Sequence, residues 1–525
     1  MDIIWNKHLF KKNEDLIIIL AVYSLLALFL FNYYQYITNA DGISYVGIAQ
    51  SYVMGNWSDA INGYWGPLFS WLLIPFLLFA KTPLHASFAA KIISLVAGFF
   101  TIIGVDKLSK KLGIQRLFKL AILVTMIPVT LSFAFNVITP DLLVTCLLVY
   151  YLIIILDPTY PDKLSNGLFC GILGAAAFLA KSYALPFFIV HFVIFNLIYY
   201  VKETSKLKKK NLLKNFLLGI SIFFVISGVW IGAISDKYGE LSMGTSGAYN
   251  QALVGPESQG HPMYYQGLLK PSNNHAVSVW ADPSYLKMEK WSPFYSTSDF
   301  KYQIEIIIEN SAQIIQYLEN FSIFFILIIL FSLILINKPV FRDSKNILIY
   351  LLITLLIYCG GYVLILVEER YLYLICILLL IMAFYMVNKT YNLQIFNIKS
   401  RNILIVFLVF SFVVFPIINL VQFVNLEKGT YNLSQTLSTD YGIQGNIASN
   451  GEWETTLHLS YYGDSKYYGI TKNTTDSNAI QRELEDNGID YYFVWDQSVN
   501  LNLTDYKEIT KNKIEGLKIY QRNKI

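Results

Sequence analysis

Long apolar stretches separated by short polar segments dominate the chain up to about residue 424. Runs of roughly 17–25 apolar residues are long enough to cross a hydrocarbon core. Such runs fall near 15–37, 86–106, 117–137, 142–157, 166–180, 183–201, 215–235, 318–337, 346–367, 371–388 and 403–424, which predicts about eleven membrane helices. Those near 142–200 are short. Beyond 424 the pattern changes: 445–449, 465–470, 491–495 and 517–521 read as strands, and 453–461 and 477–487 read as helices with polar faces. The expected architecture is an all-α polytopic membrane bundle over 1–424, with long loops at 38–85 and 236–317. A small soluble α/β domain over 425–525 follows it.

Composition agrees. Of 525 residues 55% are hydrophobic, 16% aromatic and only 14% charged, and the mean hydropathy is +0.47, far above an ordinary soluble domain. Lys7, Lys11 and Lys12 precede the first run and no small-residue cleavage site follows it, so it reads as a retained anchor. Cys146, Cys170, Cys359 and Cys376 all lie in apolar runs and form neither a disulfide framework nor a zinc cluster by spacing. A net charge of +4 and no groove-forming basic patch speak against nucleic acid as a partner. No Walker-type glycine loop is present, which disfavours ATP hydrolysis.

Basic residues set the expected orientation. Lys107, Lys110, Lys111, Arg116 and Lys119 share one loop, and Lys202, Lys206, Lys208, Lys209, Lys210 and Lys214 another; Lys338, Arg342, Lys345, Lys389, Lys399 and Arg401 form smaller groups. Counting runs puts all of them on the side of the N-terminus, which the positive-inside rule makes cytoplasmic. The loops 38–85 and 236–317 and the tail then face the exterior of a plasma membrane.

An ionisable residue at a span boundary is a functional hypothesis by default. Asp41 follows the first run, Asp141 sits in Thr139-Pro140-Asp141, Lys181 lies between the fifth and sixth runs, and Glu368, Glu369 and Arg370 precede the tenth. All are on the expected outer side. If the helices bundle, a carboxylate there can act as general base while Lys and Arg offset charge on a departing phosphate. The competing reading for each is an interfacial anchor that snorkels to water, and Lys91 is assigned to that class. His261 and His275 are too far apart to suggest ligands and read as ordinary loop residues. The aromatic-rich loop 236–317 is suited to covering a site.

Asp41-Gly42-Ile43-Ser44-Tyr45, with Gly63-Tyr64-Trp65-Gly66-Pro67-Leu68 after it, resembles the first exterior loop of GT-C superfamily glycosyltransferases. The resemblance is nearest to protein O-mannosyltransferases and lipid A aminoarabinose transferases. Thr139-Pro140-Asp141, the glycine-rich segment ending at Ala180-Lys181, and Glu369-Arg370-Tyr371-Leu372 resemble further motifs in the family's order. Where many members carry Asp-Glu and Pro-Pro-Leu, this chain has Asp41-Gly42 and Gly66-Pro67-Leu68, which leaves sugar and acceptor open.

The resemblance implies a GT-C fold and two interfacial helices in the first loop, for which 43–60 and 66–80 are available. It also implies an inverting transferase whose donor is a polyprenyl-phosphate sugar, dolichyl or undecaprenyl, and whose acceptor is a glycan, lipid or protein. Asp41 and Asp141 would be catalytic; Tyr45, Trp65, Pro67, Lys181, Glu369, Arg370 and Tyr371 would bind substrate. No cofactor is required by the sequence, and a divalent metal is left open. Two other classes handle the same lipid-linked saccharides: a transporter or flippase, which should place polar groups near the bilayer midplane, and a polysaccharide polymerase or ligase.

Overall fold

The computed structural model describes residues 2–523 except 473, 474, 497, 499, 500 and 512; of 2–12 and 343 only the backbone is described, so the side chains of Lys7, Lys11 and Lys12 lie outside the described residues. Helix α1 (Asp2–Tyr34) leads into three short helices, α2 (Ala40–Val53), α3 (Trp57–Ala60) and α4 (Pro67–Leu77). These occupy the stretches 43–60 and 66–80 singled out in the first loop. There follow α5 (Pro83–Lys111), α6 (Arg116–Asn136), α7 (Asp141–Ile155), α8 (Ser165–Ala180), α9 (Ala184–Lys202) and α10 (Lys206–Tyr238). After the second long loop, which carries α11 (Ser246–Leu253), come α12 (Thr297–Phe321), α13 (Phe325–Ile336), α14 (Arg342–Tyr362), α15 (Tyr373–Asn392) and α16 (Ile398–Gln422).

Eight of these helices are long and apolar enough to cross a membrane, and the protein is a multi-pass membrane protein by that measure. Three of the eleven expected spans differ. Helices α7 and α8 have only 15 and 16 residues; both are largely enclosed by other helices, so lipid thickness does not set their length. The run near 318–337 is the end of a bent pair, α12 and α13, which meet at 98°. The loop expected to extend to 317 therefore closes with a 25-residue helix. Its buried positions Gln303, Ile306, Asn310, Ile314, Leu318 and Phe321 recur at helical spacing, and the rest of its surface is polar or exposed. Ser322 ends it, its hydroxyl accepting from the Phe324 amide at 3.3 Å in the break before α13.

Helix α15 forms the bundle's axis, with 94% of its apolar window buried. Elsewhere in the bundle α8 and α10 approach so closely that a Cβ on Gly171 would run into the Gly219 carbonyl oxygen, the small-residue contact that membrane helices use in place of a hydrophobic drive. Successive helices alternate in direction. The basic loops thus gather at one end of the bundle, and Asp41, Asp141, Lys181 and Arg370 at the other, here called the site end. Lys91 does not snorkel: it is wholly buried and its Nζ donates to the Phe135 carbonyl at 3.3 Å, satisfying the C-terminal end of α6.

The tail forms a five-stranded sheet of order β2-β1-β3-β5-β4, from β1 (Asn446–Ser449), β2 (Lys466–Ile470), β3 (Tyr491–Val494), β4 (Tyr506–Glu508) and β5 (Lys518–Arg522). Strands β2, β1 and β3 are parallel, and β5 pairs antiparallel with both β3 and β4. Helices α18 (Trp453–Tyr462) and α19 (Ser477–Asp486) make the crossovers, and α17 (Lys428–Tyr441) joins the sheet to α16. The sheet layer sits on the site end. Tyr461 donates to the Pro83 carbonyl at 2.8 Å and Tyr462 to the Tyr36 carbonyl at 2.9 Å, while Tyr467 and Tyr468 of β2 exchange backbone bonds with Val277 and Leu269 of the second loop.

Candidate active site

Asp41 lies in the first turn of α2 and Asp141 opens α7, so both carboxylates sit at the positive end of a helix dipole. Lys181 is the residue that ends α8, where a cation is favoured. The two acidic starts are tied together: Asn39, just before α2, accepts from the Ile138 amide at 3.0 Å, three residues ahead of Asp141. Arg370 and Tyr371 come from the 3-10 turn that leads into α15. A cavity of about 520 Å³ opens among them, lined by Asp41, Tyr45, Tyr64, Trp65, Asp141, Lys181, Trp280, Glu368, Arg370 and Tyr371 with neighbouring residues.

Charge is paired across this cavity. Arg370 Nη1 is 2.7 Å from Asp41 Oδ2, and its Nε is 2.7 Å from Glu368 Oε2 and 3.9 Å from Asp141 Oδ2. Lys181 pairs with Asp141, and its ammonium lies 3.5 Å from the centre of the Tyr371 ring, a cation–π contact. Gly66 makes this possible, because a Cβ there would come within 2.6 Å of the Leu179 and Ala180 carbonyl oxygens at the end of α8 that presents Lys181.

Of the other residues expected to bind substrate, Tyr45 lies one turn beyond Asp41, buried against Trp65 at 5.1 Å and Phe69 at 5.4 Å. Burial, then the nearby Asp41 and Asp141, push its phenol well above the ordinary value, so it stays protonated. Two expected residues are not on the cavity wall. Pro67 begins α4 behind Gly66, its fixed φ suiting the first helical position. Glu369 faces away, accepting from Asn320 Nδ2 at 3.3 Å.

Sequence reasoning missed Trp280. It lies 239 residues from Asp41, yet its indole N–H donates to Asp41 Oδ1 at 3.0 Å. The segment carrying it is fastened from three sides. Ser44 Oγ and Trp65 Nε1 both donate to its carbonyl at 3.1 Å, Asn62 Nδ2 donates to the Ala281 carbonyl at 2.7 Å, and Tyr238 donates to Asp282 at 2.9 Å. With these bonds made, the second loop is a built wall of the site. The available signal was local: the Asp282-Pro283 pair after Trp280 marks a capped turn. His261 stacks its edge on Trp280 at 4.5 Å. Burial holds its imidazole down at about 4 despite the opposing pull of Asp41, and Nδ1 accepts from the Met263 amide at 3.2 Å, leaving the proton on Nε2 beside the Tyr249 hydroxyl. His275 meets Asn56 through its Nε2, at 2.5 Å. Among the described residues, no group of three or more His, Cys, Asp or Glu side chains is placed to hold a metal ion.

Such a site can hold an anion at Arg370 and Lys181 while a carboxylate faces the same space. Neither a family profile nor a curated protein matches the sequence. Solved structures do match its fold. ArnT from Cupriavidus metallidurans bound to undecaprenyl phosphate is 11% identical, with a TM-score of 0.57 over 97% of this chain and 98% of that one. The oligosaccharyltransferase of Archaeoglobus fulgidus in its apo form is 11% identical, with a TM-score of 0.51 over 92% of this chain and 70% of that one. The archaeal oligosaccharyltransferase AglB from the same organism, in complex with an inhibitory peptide and a dolichol-phosphate, is 10% identical with the same TM-score and coverage. These are membrane glycosyltransferases of the GT-C superfamily, and the fold of this chain is the GT-C fold.

Proposed function

We propose that the protein is a glycosyltransferase that moves a hexosyl or pentosyl unit from a polyprenyl-phosphate donor to a hydroxyl of a glycan, lipid or protein acceptor. The observation that carries this reading is the meeting of Asp41 with Arg370 and Lys181 around one cavity. In the reaction the acceptor oxygen attacks the anomeric carbon as the bond from that carbon to the phosphate oxygen breaks. The electron pair leaves with the polyprenyl phosphate, whose growing charge Arg370 and Lys181 offset, and the acceptor proton passes to Asp41. A single displacement of this kind inverts the anomeric centre. Asp141 keeps Lys181 in place through their ion pair.

Two of the structurally similar proteins were solved with dolichol-phosphate and undecaprenyl phosphate, which supports this donor class. The distribution of Lys and Arg supports chemistry on the outer face of a plasma membrane, with the N-terminus cytoplasmic. On this reading 1–424 is the catalytic membrane domain and 425–525 an exterior domain that roofs it. Purified protein given a labelled polyprenyl-phosphate sugar and a hydroxyl acceptor should form a glycosidic bond and release polyprenyl phosphate. Asp41→Asn should slow this by about 10³-fold, the scale of a lost general base. Labelled sugar crossing liposome membranes with no new glycosidic bond would replace the reading by transport.

A further inference from the structure

Three carboxylates, Asp41, Asp141 and Glu368, share the site with two cations, Lys181 and Arg370. Three negative and two positive groups give the protein's own side chains there one excess negative charge. A phosphodiester adds a further negative charge, and crowding a fourth anion onto two cations in a partly desolvated cavity is unfavourable unless a carboxylate leaves. The carboxylates differ in their freedom to do so. The side chains of Asp141 and Asp41 are 5% and 15% exposed and are held in the first turns of helices, whereas that of Glu368 is 39% exposed and belongs to the extended residue before the 3-10 turn.

Glu368 presents two oxygens as a phosphate would. One is 2.7 Å from Arg370 Nε and the other accepts from the Tyr371 hydroxyl at 2.9 Å, beneath whose ring plane Lys181 completes the positive surroundings. The fit is imperfect: Arg370 Nε is buried and makes no hydrogen bond among the described residues, so its contact with Glu368 is an ion pair without directional geometry. A buried guanidinium N–H without an acceptor favours any ligand oxygen that aligns better.

We infer that the Glu368 carboxylate is a stand-in for the donor's phosphate, holding the phosphate place on Arg370 and Tyr371 and swinging to water when the lipid phosphate arrives. The inference rests on the glycosyltransferase reading and adds to it the place of the phosphate and a built-in competitor for that place. A self-occupied phosphate site keeps Arg370 neutralised between turnovers, at the expense of donor affinity.

The consequence is a gain of affinity on losing a charged residue. Binding of undecaprenyl phosphate to the full chain in nanodiscs should tighten about tenfold in both Glu368→Gln and Glu368→Ala, a change worth about 1.4 kcal/mol. Uncharged undecaprenol should bind all three proteins alike, and inorganic phosphate should compete more strongly against the variants than against the unsubstituted protein. Unchanged or weaker binding of the lipid phosphate, in a variant whose thermal midpoint matches the unsubstituted protein, overturns the inference and makes Glu368 a support for Arg370. Should Glu368→Gln lower the midpoint, Glu368→Ala is read by the same criterion, and a gain in neither variant also overturns it. If the unsubstituted protein binds undecaprenyl phosphate no better than undecaprenol, the glycosyltransferase reading falls as well. A preference for the phosphate without a gain in the variants sinks the stand-in alone.

Discussion

Buried ion clusters occur at both ends of the bundle, and they are built for different ends. At the basic end Asp106, 1% exposed, meets Lys110 at 2.6 Å and Lys119 at 2.9 Å, one acid between two cations drawn from α5 and α6. At the site end the ratio is reversed, with Asp41, Asp141 and Glu368 around Arg370, and a cavity of about 520 Å³ lies in their midst. The first cluster locks two helix ends together. The second pairs its charges around open space, and it is walled by aromatic rings from two distant loops. A buried ion pair in a membrane protein therefore does not by itself mark a site; an accessible excess of one charge does.

Two substitutions sharpen this contrast. Asp106→Asn leaves Lys119, 10% exposed, without its acid, and removing one partner of a buried pair costs about 3 kcal/mol or more, while Lys110, 40% exposed, stays solvated. The thermal midpoint of the purified protein should fall clearly while turnover of the folded fraction is kept; a loss of turnover at full stability would make the basic end part of the site. A smaller effect is expected from Trp280→Phe, which keeps the ring and removes the N–H that meets Asp41. The turnover number should drop about tenfold, the size of a lost hydrogen bond to a charged group, with the KM for the donor unchanged. An equal rise in KM would instead make Trp280 a wall of the donor pocket.

The membrane part was legible because hydropathy depends on composition within one helix, and every apolar run found a helix. The tail's main strands were legible for a similar reason, since they are short, nearly continuous buried runs rich in aromatic and β-branched residues, a local signal. Strand β4 has only three residues, with Lys507 exposed between Tyr506 and Glu508, and α17 carries only Tyr431, Leu433, Leu437 and Tyr441 as large apolar or aromatic residues; neither offers a strong pattern. The 98° bend after α12 falls at Ser322, Ile323 and Phe324, three residues that lead into a long apolar run, where hydropathy carries no directional information. In the site, Asp41, Asp141, Lys181 and Arg370 stood out because a charge next to an apolar run is conspicuous. Trp280 did not, because its role comes from a contact across 239 residues. Pro67 stood out by motif alone and Glu369 also by its charge at a span boundary, but neither lines the cavity.

The most direct test is a structure of the protein with undecaprenyl phosphate bound. The phosphate should lie within hydrogen-bond reach of Arg370 and Lys181, with Asp41 facing the space beside it. A phosphate seated at the basic end, or one that leaves both cations on their carboxylates untouched, would contradict the account.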